Sequence, residues 1–521
     1  MKKSNLEINN PQLPQLFGHP RGMFYLFFAE LWERFSFYGM RALLVLYMTS
    51  QLMYSDKMSL GIYAAYGSLV YATPIIGGVL SDRILGYRKA IVIGGVLMMI
   101  GHFLMAFETP FFFYTSLAII IVGNGFFKPN ISSLVGAIYE GQEEKREAGF
   151  TIFYLGVNLG GMLAPLLCAW LGMTYGWHYG FGLAGIGMLL GILFFFKGMK
   201  SELFGEHGKV PVTQKEVAPA AQRQQVSMVV IGAVAAVPLF AGIIYFYQFE
   251  HWLVFLVTIL VIGVMGRMLM RVSKEERGRL SVVIYFTLLA TVFWAIFEQA
   301  GSSLTLFADR NVNLVYLNAA QTNSINSAFI ILLAIPFSIL WTYLSNRKKN
   351  PSSPIKFGLG LFFLGVGYLI FALSGYQVDE TGHVPMYFLI VGTFIYTAGE
   401  MFLSPVGLTK VTELSPARFT AFIMGVWLLA SFYGHFFSGQ IAKLTAMEGA
   451  EVVVSEPGWL DGVTQFFTGL NHEAVQQMDE RFQQLYQYVS TYTLFGIIAI
   501  GIGLVAILIS PWIKKHMHGV H

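Results

Sequence analysis

The chain has 521 residues, of which 55% are hydrophobic and only 12% charged, with a mean hydropathy of +0.60. Soluble domains average about 25% charged residues, so a soluble multidomain protein is excluded, and the formal net charge of +4 forms no basic patch that would mark a nucleic-acid partner. Cys168 is the only cysteine, which leaves no disulfide framework and no cysteine metal site.

The polar opening MKKSNLEINNPQLPQLFGHPRG lacks the apolar core of a cleavable signal peptide. From Gly22 to Ile513, apolar stretches of the length needed to cross roughly 30 Å of hydrocarbon recur along the chain. They predict an all-α polytopic membrane protein with about 14 spans. The first six fall near 22–50, 59–82, 88–107, 110–138, 144–170 and 178–197. Two more, near 226–247 and 251–270, follow a polar linker and are joined by a tight turn at Gln248–Glu250. The last six fall near 281–306, 318–345, 354–375, 385–409, 417–445 and 486–513. The expected organisation is a tail (1–21), a six-helix bundle (22–197), a linker carrying an inserted helix pair (198–280), a second six-helix bundle (281–513) and a short tail (514–521).

The first span is the least ordinary. Its run AELWERFSFYGMRALLVLYM holds Glu30, Glu33, Arg34 and Arg41, and each charge at a bilayer centre costs on the order of 2.5–3.5 kcal/mol. At about 100° per residue, Glu30, Glu33, Arg34, Tyr38 and Arg41 share one side of the helix, so that side walls a polar cavity. The next spans meet in the loop GGVLSDRILGYRK. There Gly78 and Gly86 allow close helix contact and a tight turn, while Asp82 with Arg83 and Arg88 can form a charge latch; a solvated turn is the plainer alternative. Tyr71 adds a hydroxyl to the second span, as cavity wall or as packing.

Lys128, in GNGFFKPN, lies too deep in its span for easy snorkelling and needs an anion, the carboxylates of the first helix being the nearest class; a helix-locking lysine is the alternative. Tyr154 and Asn158 follow at i, i+4 on one face, with helix–helix glue as the alternative for Asn158. In the second bundle Trp294 and Glu298 are again at i, i+4, and Asn326 follows in QTNSINSAF. Glu400 is the sole charge in a long apolar run, with Ser404 one turn below it; it serves either as a protonated hydrogen bonder or as the counter-charge of a cationic ligand. Trp427 is packing or cavity wall.

Cations and anions are placed asymmetrically. Lys and Arg crowd the loops on the side of the N-terminus, whereas 446–485 is acidic. The positive-inside rule therefore puts both termini and the central linker in the cytoplasm and 446–485 outside. Within the spans, Arg34, Arg41 and Lys128 belong to the first bundle and Glu298 and Glu400 to the second. A ligand with a carboxylate at one end and an ammonium at the other would bridge them.

ELWERFSFYGMRA, GNGFFKPN, FTIFYLGVNLG and GEMFLSPVG, in this order and over nearly the whole chain, resemble the motifs of the proton-dependent oligopeptide transporters of the major facilitator superfamily. The inserted helix pair resembles that of bacterial members. The resemblance implies the major facilitator fold and, in the bacterial inner membrane, import of di- and tripeptides by alternating access, coupled to protons and needing no other cofactor. It implies that Arg34, Arg41 and Lys128 handle the peptide carboxylate, and that Glu400, Asn158 and Asn326 hold the amino end. Tyr38, Tyr71, Tyr154 and Ser404 would line the site, Trp294 and Trp427 would shape side-chain pockets, and Glu30, Glu33, Arg34, Lys128 and Glu298 would couple the proton. The chain departs from the family pattern at Phe37, where a tyrosine is usual, at Ala64, where animal members carry a histidine, and at Ser327, where many relatives have proline. Transport of nitrate or another small solute and a non-transporting nutrient receptor remain the alternatives. An enzyme is not indicated, because no metalloprotease, hydrolase or cysteine-nucleophile constellation is present. The oligomeric state is not encoded in any of these features.

Overall fold

The computed structural model describes residues 13–209, 211, 214, 217–416, 419–446 and 459–519. Among them, 13 helical segments are long and apolar enough to cross a bilayer. Helix α1 (Arg21–Leu46, extended by a π turn to Gln51) is also long enough, but its charges set it apart from those 13. With α1 there are as many spans as the hydrophobic pattern predicts.

Five more spans complete the first bundle: α2 (Asp56–Leu80, extended to Leu85), α3 (Tyr87–Met105), α4 (Pro110–Ala137), α5 (Glu143–Ala164) running through a π turn into α6 (Trp170–Tyr175), and α7 (Trp177–Lys200). Ser55 and Thr109 cap α2 and α4 by accepting from backbone amides, and Pro110 occupies the first turn of α4 where its missing N–H costs nothing. The inserted pair is α8 (Pro219–Tyr245) and α9 (Glu250–Arg271). The second bundle contains α10 (Lys274–Phe297), broken by a 3₁₀ turn at Glu298–Gly301 before α11 (Ser303–Asn311), then α12 (Ser324–Asn346), α13 (Ser353–Leu373), α14 (Met386–Leu414) and α15 (Thr420–Ala442). Two short helices, α16 (Trp459–Thr468) and α17 (His472–Val475), precede the long α18 (Glu480–His516). The strands are two-residue pairs only: β1 (Gln15–Leu16) with β2 (His19–Pro20), and β3 (Val312–Asn313) with β4 (Val384–Pro385).

Two boundaries differ from the hydrophobic pattern. The second bundle starts at Lys274, because Ser273 and Glu276 form a capping box seven residues before the apolar run. Helix α18 starts at Glu480, where Asp479 caps the amides of Arg481 and Phe482, so the segment expected over 446–485 is shorter. Its described part is an ordered cap: the Tyr486 hydroxyl donates to Asp461 and the Tyr376 hydroxyl to the Phe466 carbonyl, both at 2.7 Å. Residues 447–458 lie outside the described ones.

Each bundle packs on itself, and the two meet through α2 against α15 and α5 against α12. The inserted pair straddles this seam. Helix α8 rests on α2 and α4 of the first bundle, with Val229 and Ala233 against Val122 and Phe126. Helix α9 rests on α15 of the second, with Val254 against Leu429, Phe432 and Phe436, and Thr258 hydrogen-bonded to the Tyr433 hydroxyl at 2.9 Å.

In the loop between α2 and α3, the described contacts of Arg88 run to the linker after α7 rather than to Asp82. Gly86 has φ +73°, the left-handed turn that glycine permits. Arg88 is buried and donates to the carbonyls of His207 at 2.8 Å and Gly205 at 2.5 Å, so it anchors the linker after α7. Asp82 is exposed and makes no ion pair among the described residues. Close helix approach belongs to Gly77, one residue before Gly78: a Cβ at Gly77 would run into the Gly125 carbonyl of α4, whereas one at Gly78 would meet only Pro129 at 3.9 Å. Gly77→Val therefore lowers the thermal unfolding temperature in detergent, by the equivalent of about 1–3 kcal/mol for overpacking. Gly78→Ala leaves it unchanged; equal effects of the two would contradict this packing.

Candidate functional site

Odd and even spans alternate in direction, so each bundle has a near end, where α1 begins and α18 finishes, and a far end. Hydrogen bonds and ion pairs that join the bundles are found midway and towards the far end. Arg310 after α10 holds Asp56 at the start of α2 with two contacts of 2.6 and 2.7 Å. Asn318 and Gln321 donate to the Ala169 and Leu166 carbonyls at 3.4 and 2.9 Å. Deeper in, Arg41 of α1 pairs with Glu298.

Beneath these contacts lies a cavity of about 290 Å³, lined by residues of both bundles. The first bundle contributes Tyr38, Arg41, Tyr71, Tyr154 and Asn158. The second contributes Trp294, Glu298, Asn323, Asn326 and Glu400. These residues, all but Asn323 singled out from sequence, reach one chamber, and they come from six spans. The break in α10 explains the position of Glu298: the 3₁₀ turn carries its carboxylate to the seam, where it faces Arg41.

The two walls differ in charge. On one, Arg41 Nε donates to the Tyr63 hydroxyl at 2.6 Å while its other arm reaches Glu298. The guanidinium thus carries two partners and remains at the cavity edge. On the opposite wall, Asn326 donates to Glu400 Oε2 at 3.1 Å and to Thr397 at 3.0 Å. Ser327 in place of proline does not disturb that aim; it sits against Gly161 of α5 instead. Glu400 has no cation among its described partners and is 7% exposed. Asn158, on the cavity lining, donates to the Tyr154 carbonyl at 3.0 Å.

Several expected site residues lie elsewhere. Arg34 does not line the cavity: its Nε is 2.7 Å from Glu30 and 2.8 Å from Glu33, one guanidinium between two carboxylates in a cluster buried within the first bundle. The helical spacing that puts Glu30 and Arg34 at i, i+4 favours this pairing over an outside partner. Lys128 makes no direct ion pair with the first-helix carboxylates among the described contacts. Its ammonium instead lies 3.9 Å over the Tyr71 ring, behind the cavity wall, where the ring's negative face receives it. Glu30 and Glu33 are absent from the lining for the same reason. Trp427 is also outside the cavity, packed on Gly407 and edge-on to Phe357 at 6.3 Å. The side chain of Ser404 lies outside the described ones.

Two residues that sequence reasoning passed over complete the cluster. Tyr63 is the second partner of Arg41. His435 of α15 stacks on Tyr71 at 4.9 Å, with its Nε2 3.6 Å from Glu298 Oε1. Its signal was a histidine deep in an apolar span, which by the same cost argument that singled out Glu400 deserved the same weight. Ala64, one turn along α2 from this point, packs on Gly439 of α15.

Two helical bundles closing around a midplane cavity with opposite charges on its walls define a membrane transporter. The POT family model matches residues 88–460. The chain is 34% identical to the uncharacterised transporter YclF of Bacillus subtilis, over 97% of this chain and 96% of that one. It is 34% identical to a di-/tripeptide transporter of Lactococcus lactis, over 82% of this chain and 90% of that one. A crystal structure of a POT peptide transporter with sulfate superposes with a TM-score of 0.78 at 34% identity, covering 98% of each chain. The chain belongs to the POT family and is an integral membrane protein.

The Arg41–Glu298 pair is buried between bundles, so deleting one partner strands the other charge. Arg41→Leu or Glu298→Leu alone should each cost about 3–5 kcal/mol. The double variant should lose far less than the sum, as read by a double-mutant cycle on thermal unfolding. Additive losses would show that the two charges do not interact.

Proposed function

We propose that this protein imports di- and tripeptides across the bacterial inner membrane, coupled to inward movement of protons, with both termini in the cytoplasm. The observation that carries the reading is Glu400: a buried carboxylate with an amide but no cation beside it, across a small cavity from Arg41. Such a wall suits an ammonium, and the opposite wall suits a carboxylate. The volume lies at the low end of the roughly 300–1,000 Å³ of small-ligand sites, which favours short peptides. Aromatic side chains between the poles, Tyr38, Tyr71, Tyr154 and Trp294, accept varied side chains by shape. Nitrate is disfavoured, because Glu400 would repel a bare anion.

In this reading the far end is the periplasmic one, and the structure is an inward-facing state. The excess of Arg and Lys in near-end loops supports that orientation. Arg41 and, once released from Tyr71, Lys128 receive the peptide carboxylate. Glu400 and Asn326 hold the amino group, with Asn158 on the facing wall. Protonation among Glu298 and the Glu30–Glu33–Arg34 cluster rearranges the charge pairs that the cargo then completes. Proton and peptide thereby strengthen each other's binding by linkage.

The test is accumulation of labelled dipeptide in proteoliposomes under an imposed pH gradient. The wild type accumulates peptide above equilibrium, and Lys128→Ala abolishes this. Glu400→Gln weakens free-amine dipeptides at least tenfold while N-blocked ones change little. Undiminished gradient-driven uptake in both variants would end the assignment.

A further inference from the structure

His435 sits inside the machinery just described without a role in it. It is 2% exposed. Neither ring nitrogen has a hydrogen-bond partner among the described residues, although a buried imidazole nitrogen normally finds one. The space it occupies is made for a ring: Gly67 of α2 lies against it, and a Cβ there would come within 2.5 Å of Nδ1. One face stacks on Tyr71, the ring that also carries the Lys128 ammonium. The edge bearing Nε2 points at Glu298, at 3.6 Å, too long for a hydrogen bond but within reach of a small shift. Arg41, held by Tyr63, completes the surroundings.

The charged and titratable groups facing His435 are therefore Arg41 from α1, Tyr63 and Tyr71 from α2, Lys128 from α4 and Glu298 from the turn after α10. Helix α9 and α15 itself contribute none to this contact.

We propose that His435 is a proton-accepting residue of the far-end gate, and that its protonation loosens the Arg41–Glu298 pair joining the two bundles. The proposal rests on the proton-coupled reading above. The step is a simple transfer: a hydronium O–H bond breaks, an N–H bond forms on the imidazole, and a water molecule is left. With neutral His435, Glu298 holds the Arg41 guanidinium, and the Lys128 ammonium lies nearby over the Tyr71 ring. Protonated, His435 becomes a third cation beside the same carboxylate and a donor to its free oxygen Oε1. In a low-dielectric interior the added repulsion is large. The imidazolium cannot leave its slot against Gly67, so the flexible cation moves: Arg41 gives up Glu298 and is free for a ligand carboxylate. The seam between α1 and the broken α10 then has no ion pair at this level, and the far end can part. Loss of the proton restores the pair.

The test needs no cargo. Spin labels at Met53→Cys and Tyr316→Cys, two exposed far-end positions on opposite bundles, in a Cys168→Ala background, report the gap between the bundles by pulsed electron resonance. The full-length protein should show a longer-distance population that grows at least threefold from pH 8 to pH 5. His435→Gln, which keeps an amide donor near Nε2, and His435→Phe, which keeps the ring and its stacking, should both lose that pH response while retaining their fold. In proteoliposomes the same variants should lose at least tenfold in pH-driven accumulation. A pH-dependent distance shift that survives in either variant overturns the proposal, as does its absence from the parent. A wild type that accumulates no peptide overturns the functional reading instead, so the two failures are told apart.

Discussion

A single ion pair, Arg41 of α1 with Glu298 after α10, ties one bundle to the other at the level of the cavity. Burying both charges in a bilayer is costly, and the cost is met only because each has further support: the Tyr63 hydroxyl on Arg41 and the His435 ring close to Glu298. The pair is therefore neither a surface tie nor a permanent staple. It is a contact whose stability depends on neighbours that can change their charge or be replaced by a ligand. That dependence is what a protein with alternating access requires, because a seam held by apolar packing alone would not respond to protons or to a zwitterion.

The remaining buried charges divide by whether they are neutralised at home. Glu30, Glu33 and Arg34 pair among themselves inside the first bundle, with two carboxylates on one guanidinium. Lys128 is shielded by the Tyr71 ring. Glu400, on the cavity wall, has among the described residues only amide contact with Asn326. The cavity thus presents a nearly satisfied wall opposite an unsatisfied carboxylate, and its polarity arises from that imbalance more than from the number of charges on either side.

The spans were legible because their length and hydropathy are set by the thickness of the bilayer, and the cavity wall because charges in a span need a reason to be there. Which charge meets which was not. Arg34 and Arg41 share a helix face and are indistinguishable by spacing, yet they differ by two turns in depth, and depth decides that one meets its own helix and the other the opposite bundle. Lys128 was rightly read as needing a partner, but an aromatic face competes with a carboxylate only once the fold places Tyr71 beneath it. Trp427 and the capping residues that lengthen α10 and α18 depend likewise on contacts or side-chain caps that hydropathy does not register. The straddling position of α8 and α9 has no trace in their composition, which says only that both face lipid.

The central claim, that the Arg41–Glu298 pair holds the two bundles together at the level of the cavity and so limits access to it from the far side, is tested most directly by access. A single cysteine at Thr322, on the cavity lining, in a Cys168→Ala background, is challenged with a membrane-impermeant thiol reagent from the far side of oriented vesicles. Labelling should be slow with the pair intact and at least tenfold faster when Glu298→Gln removes the carboxylate charge. The same slow labelling in both proteins would contradict the account.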